Sequence, residues 1–144
     1  MIEQDTIRLL RECDAGAKMG MDALTDVVDR VQDGKLKSLL SASRDSHEKL
    51  SGEIQQKLRD YDDEGKAPSP MLSGMAWLKT HAELILDGSD QTIADLMTDG
   101  GNMGVKSLSK YLNKYKAADE DSKSLAKRLI GMEETMVRQI RPYL

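Results

Sequence analysis

The stretch IRLLRECDAGAKMGMDALTDVVDRV, residues 7–31, decides the fold. Apolar or small residues fall at Ile7, Leu10, Ala17, Met21, Leu24, Val28 and Val31, alternately three and four apart, with Asp14 in the one remaining slot. This is the spacing of a single buried stripe along a long helix. Asp5 is placed to cap its start, and Asp33-Gly34 supplies a break in which glycine takes the left-handed conformation that ends helices. The spacing therefore predicts a first helix over roughly residues 5–32. The next stretch repeats the arithmetic with Leu36, Leu40, Ser43, His47, Leu50, Ile54, Leu58 and Tyr61, until the polar run DDEGKAPSP dissolves it. A second helix over roughly 35–63 follows. A two-residue connection forces the pair into an antiparallel hairpin about 40 Å long at 1.5 Å per residue.

Ser69-Pro70 is a helix entry, a hydroxyl cap followed by a residue whose missing N–H costs nothing at the first helical position. Met71, Leu72, Met75, Leu78, Ala82, Ile85 and Leu86 then predict a short amphipathic crossover helix ending near Asp87-Gly88. Ser89 or Asp90 opens the next helix, whose apolar positions Ile93, Met97, Val105, Leu108, Leu112 and Tyr115 carry it across Gly100, Gly101 and Gly104 to about Lys116. Each interior glycine costs about 1 kcal/mol relative to alanine, so packing or a ligand must offset them. Asp119 opens the last helix, which runs through Leu125, Leu129, Met132, Met136 and Ile140 until Pro142 stops it.

Composition agrees. A chain of 144 residues is the size of one domain, 1–144, and with no Phe, four Tyr and three Pro it has little of the makeup of an all-β fold. The net charge of −4 argues against nucleic acid as a partner. The charged share of 32% and the charged opening MIEQDTIRLLR leave neither a membrane span nor a signal peptide, so a cytoplasmic protein is expected. Cys13 is the only cysteine, so no internal disulfide can form.

An internal echo links the two halves. RECDAGAKMGMDAL (11–24) aligns with DGGNMGVKSLSKYL (99–112), placing Gly16 on Gly104, Lys18 on Lys106 and Asp14 on Asn102. LLSASRDSHEKL (39–50) aligns with LAKRLIGMEETM (125–136), placing His47 on Glu133. Two hairpins joined by a long crossover have the connection order of ferritin-like bundles. The run SDQTIADLMTDGGNMGVKSLSKYLNKY, with MAWLKT and RECDAGAKMG, resembles a bacterial ferritin-like four-helix-bundle family catalogued as a domain of unknown function (number 2383). The resemblance spans nearly the whole chain and implies an all-α, ferritin-like antiparallel four-helix bundle with a short crossover helix. It also raises the di-iron or di-manganese carboxylate sites with which such folds are associated.

A di-metal site needs inward Glu from two helices and Glu-x-x-His from the other two, and this chain has no Glu-x-x-His. The echo positions offer Asp14, His47, Asn102 and Glu133 instead, with Arg44 and Ile130 standing where the further carboxylates belong. These four are the metal candidates for a single Zn, Mn or Fe ion. Counting from the turns sets Asn102 level with Glu133, His47 with Gly20 and Asp14 with Glu53, which separates Asp14 from His47 by about 9 Å along the axis. The competing reading of the same residues is a hydrogen-bonded polar layer that fixes helix register. His81 reads as a surface ring. Neither Cys13 nor the GGNMG segment has the companions that nucleophilic or phosphate chemistry requires.

Gly16 with Gly20 and Gly100 with Gly104 are four apart, which signals close helix packing or a void that admits a small ligand. The methionines Met19, Met21, Met71, Met75, Met97, Met103, Met132 and Met136 fill gaps in a core without Phe, or present an adaptable binding surface. Trp77, on the crossover, covers the bundle or meets a second subunit. The sequence thus predicts a non-catalytic bundle with a structural or binding role that self-associates as a homo-oligomer or meets an unidentified protein partner. The alternative is a metal-binding ferritin-like protein handling iron, manganese, zinc or an oxidant.

Overall fold

A computed structural model describes residues 2–66 and 89–144. Four long helices make up almost all of it: α1 (Ile2–Val28), α2 (Gly34–Arg59), α3 (Asp90–Lys114) and α4 (Glu120–Ile140), followed by a single 3-10 turn at Arg141–Tyr143. The described residues contain no strand. The expected crossover helix between Ser69 and Gly88, with Met71, Met75, Trp77 and His81, lies outside the described residues.

Three of the four helix entries are side-chain caps. Asp33, Ser89 and Asp119 accept the N–H groups of Leu36, Thr92 and Ser122, each three residues on, satisfying a donor that the first helical turn leaves without a partner. Two expectations need correction. Asp5 does not cap α1, which already begins at Ile2; its carboxylate instead accepts the N–H of Ala117. Gly34 is not a left-handed break, because it is the first residue of α2 and the connection is the longer stretch 29–33. α1 ends early because Arg30 and Val31 turn back onto the carbonyls of Val27 and Val28 while Asp90 takes the N–H groups of Gln32 and Asp33 at 2.8 and 2.7 Å.

α2 also stops before the expected residue 63. Asp62 adopts φ +55°, its N–H donates to Arg59 O, and the N–H of Asp63 reaches back to Leu58 O at 3.0 Å. This paired closure uses up the last carbonyls of the helix. Beyond it, Asp63 accepts Gly65 N–H and holds Arg11, whose hydrogen bond keeps the Asp63 carboxyl below its ordinary pKa. Gly65, at φ +85°, brings the chain back against α1. The end of α2 thus lies beside the first half of α1, and Asp5 and Thr6 of α1 bond Ala117 and Asp119 between α3 and α4.

Packing is closest between α1 and α2 and between α3 and α4, with further contacts of α4 to α1 and α2 and of α1 to α3. The buried side chains form two separate clusters. One joins Leu24, Val27, Leu36, Leu40, Ile93, Leu96 and Ile140; the other joins Leu9, Leu10, Leu50, Ile54, Leu58, Leu125 and Leu129. Truncating any such fully buried leucine to alanine costs about 2–5 kcal/mol. Between the two clusters lies a polar layer.

Candidate functional site

His47 of α2 and Glu133 of α4 make up that layer. His47 is fully buried and Glu133 is 7% exposed. The ring Nδ1 lies 2.7 Å from Ser43 O, one turn earlier on the same helix. A carbonyl only accepts, so Nδ1 carries a hydrogen and donates it. Nε2 lies 2.5 Å from Glu133 Oε1, so one more proton is shared between ring and carboxylate. Burial disfavours the charged ring, but the hydrogen bond and charge of Glu133, with the Ser43 carbonyl, outweigh it and raise the His47 pKa above the ordinary histidine value.

Glycines make room for this pair. A Cβ on Gly20 would stand 2.8 Å from His47 Cδ2, confirming that these two residues are level, and a Cβ on Gly101 would stand 2.5 Å from Val137 Cγ2. Any side chain there would force its neighbours to shift, which is a reason for glycine on α1 and α3 despite its helix cost. Gly16 and Gly104 are different: an added Cβ would meet its neighbours at ordinary distances of 3.5 Å or more. Close packing and empty space therefore both occur along this face. A cavity of about 180 Å3 follows it, lined among the described residues by these glycines, by Met19, Met97 and Met136, and by His47 and Glu133.

The remaining candidates lie elsewhere. Asp14 is fully buried, but its Oδ2 accepts Lys18 Nζ at 2.7 Å and the backbone N–H of Lys66 at 3.0 Å, while its Oδ1 has no partner among the described residues. It does not face Glu53, which lies exposed and paired with Arg128. Lys18, four residues after Asp14, was a signal present in the sequence; the return of Gly65-Lys66 was not. Asn102 has the right level but the wrong side: it is exposed, and Gly101 and Gly104 face Glu133 in its place. Cys13 is buried, and desolvation, with Glu12 and Asp14 nearby, pushes its thiol up to about 12.

Among the described residues the donor set does not fit a resident metal. Of the His47 nitrogens only Nε2 has a lone pair to offer, and taking it would mean breaking the bond to Glu133. An ion there would then hold one nitrogen and one carboxylate, short of the three or four protein ligands that zinc requires. No group of three His, Cys, Asp or Glu suited to an ion occurs among the described residues, and Asp14 is engaged by Lys18 and Lys66. Nor do the described residues contain a helix long and apolar enough to cross a membrane.

What the arrangement can do is hold a proton out of water and present a carboxylate oxygen to an apolar slot. Glu133 Oε2 makes no hydrogen bond to the described protein. Compared with known proteins, the chain matches no family model, and neither a curated protein nor a solved structure shows significant similarity to it.

Proposed function

We propose that the chain is a ferritin-like antiparallel four-helix bundle with a binding rather than a catalytic role, and that the slot between α1 and α3 holds a small, mainly apolar molecule. The cavity of about 180 Å3 carries this reading. It exceeds a ~150 Å3 apolar cavity that stays dry and takes up benzene. Its walls favour such a guest: backbone at the glycines, flexible thioethers at Met19, Met97 and Met136. The bundle architecture is supported by the order of the helices, by the contacts of Asp5 and Thr6 at one end and Asp90 at the other, and by the resemblance carried by the 89–115 run.

Thermal unfolding with saturating toluene or indole tests the reading. Ligand that binds only the folded chain raises the melting temperature, by the equivalent of about 2.7 kcal/mol at a hundredfold excess over Kd. Gly104→Leu, which places a side chain in the slot, should abolish the rise while leaving the cooperative melt intact. No rise with either compound on the unaltered protein refutes the proposal.

A further inference from the structure

Among the described residues of the slot wall, one carboxylate oxygen stands beside the glycines. Glu133 is nine-tenths buried along its side chain, and its Oε1 is used by His47. Its Oε2 lies 3.5 Å from the point a Cβ would occupy on Gly101 and 3.8 Å from that on Gly104, so it stands against the glycine wall with its lone pairs uncommitted. The slot leaves this oxygen open to water, and a guest that displaces the water without supplying a hydrogen strands the acceptor at a cost, so a guest that donates there gains most.

Charge restricts the guest further. His47 and Glu133 share a proton, so the pair as a whole offers no net negative charge to a cation that must shed its water to enter. The other charged groups along the slot among the described residues, Glu12 and Lys66, neutralise each other across 2.6 Å. An anion would meet Oε2 directly. The match is a neutral molecule with a hydrogen to give. Shape points the same way: glycines of two helices make a flat-sided slot, methionine sulfur packs favourably on aromatic rings, and the volume suits one ring with small substituents.

We propose, resting on the reading of the slot as a binding site, that its guest is a neutral single-ring aromatic molecule bearing one hydroxyl or N–H group, and that this group donates to Glu133 Oε2. The experiment is a set of titrations of the full chain, followed by amide chemical shifts, with p-cresol, toluene and 4-methylbenzylammonium up to their solubility limits. A hydrogen bond to a charged acceptor makes p-cresol bind more tightly than toluene by about tenfold or more, and the ammonium compound more weakly than p-cresol. In Glu133→Met the p-cresol advantage disappears while toluene still binds. The comparison among ligands is read on the unaltered protein, so it decides the matter even where the variant fails to fold. Equal affinity for toluene and p-cresol, or preference for the ammonium compound, overturns this inference and leaves the apolar slot standing. Absence of binding by all three overturns the slot itself.

Discussion

Replacing Gly101 with alanine pits two known effects against each other at one site. In a helix interior the exchange is favourable by up to about 1 kcal/mol, because glycine gives up more backbone freedom on folding. At Gly101 the new methyl would stand 2.5 Å from Val137 Cγ2 and 3.2 Å from Met136 Cε. The methionine end can swing aside. Val137 cannot, being β-branched on a helix and 8% exposed, so the helices must part or the rotamer must strain, at about 1–3 kcal/mol. Gly52 is the control, an exposed helical glycine with nothing within 4 Å of an added Cβ. The helix term is common to both, so Gly52→Ala should exceed Gly101→Ala in stability by the packing term alone, about 2 kcal/mol. For 144 residues the unfolding entropy is about 0.3 kcal/mol/K, which makes the expected gap in melting temperature about 7 °C. Adding Val137→Ala to Gly101→Ala should recover part of it. If the two glycine variants melt within a degree or two of each other, the close approach of α3 and α4 argued above is wrong.

The His47–Glu133 pair predicts strong coupling: His47→Ala alone, which strands a buried carboxylate, costs about 3 kcal/mol or more, whereas His47→Leu with Glu133→Met is near neutral, as denaturant unfolding of the cycle will show. Because the folded pKa of His47 is raised, the pair's contribution is full below the unfolded value of about 6.5 and is lost as pH rises through the folded value, so stability should fall on the alkaline side in the native chain and not in the double variant. Gly65→Ala combines an L side chain at φ +85° with a Cβ that would run into Asp14 Oδ2 and should destabilise by about 2 kcal/mol, measured by thermal melting; a neutral effect would mean that the clasp on Asp14 does not form. Cys13, with its thiol near 12, should resist alkylation at pH 8 until denaturant unfolds the chain; fast labelling of the native protein would contradict its burial.

The four long helices and the caps at Ser89 and Asp119 were legible from periodicity and cap chemistry, and the level of His47 with Gly20 because a helix converts sequence distance into length at a constant 1.5 Å per residue. What lay beyond reach is what a constant rise does not encode. Asn102 was set facing Glu133 by level alone, but successive residues turn by about 100°, and the inward position is Gly101. Glycine adds nothing to a hydrophobic stripe, so the seam of α3 at Ile93, Met97, Gly101 and Leu108 reads as broken just where it is most tightly packed. Asp14 posed another kind of problem. Its partners, apart from Lys18, come from a loop whose path depends on Asp62 and Gly65 at positive φ, and no periodicity announces such a return.

The internal echo gains physical content from the site. It makes His47 equivalent to Glu133 and Gly16 equivalent to Gly104, and these are residues that the folded chain brings to one slot: the first two bond each other, and both glycines line it. A position that meets its own counterpart across the middle of a bundle faces a constraint that other positions escape. Two glutamates there would place like charges in a buried contact, and two histidines whose Nδ1 groups donate along their own helices would face each other as acceptors with no proton between them. One acid with one base satisfies the contact with a single shared proton. That division also leaves one carboxylate oxygen over, turned toward a slot lined by glycine, and it is this remainder to which the proposed guest would donate.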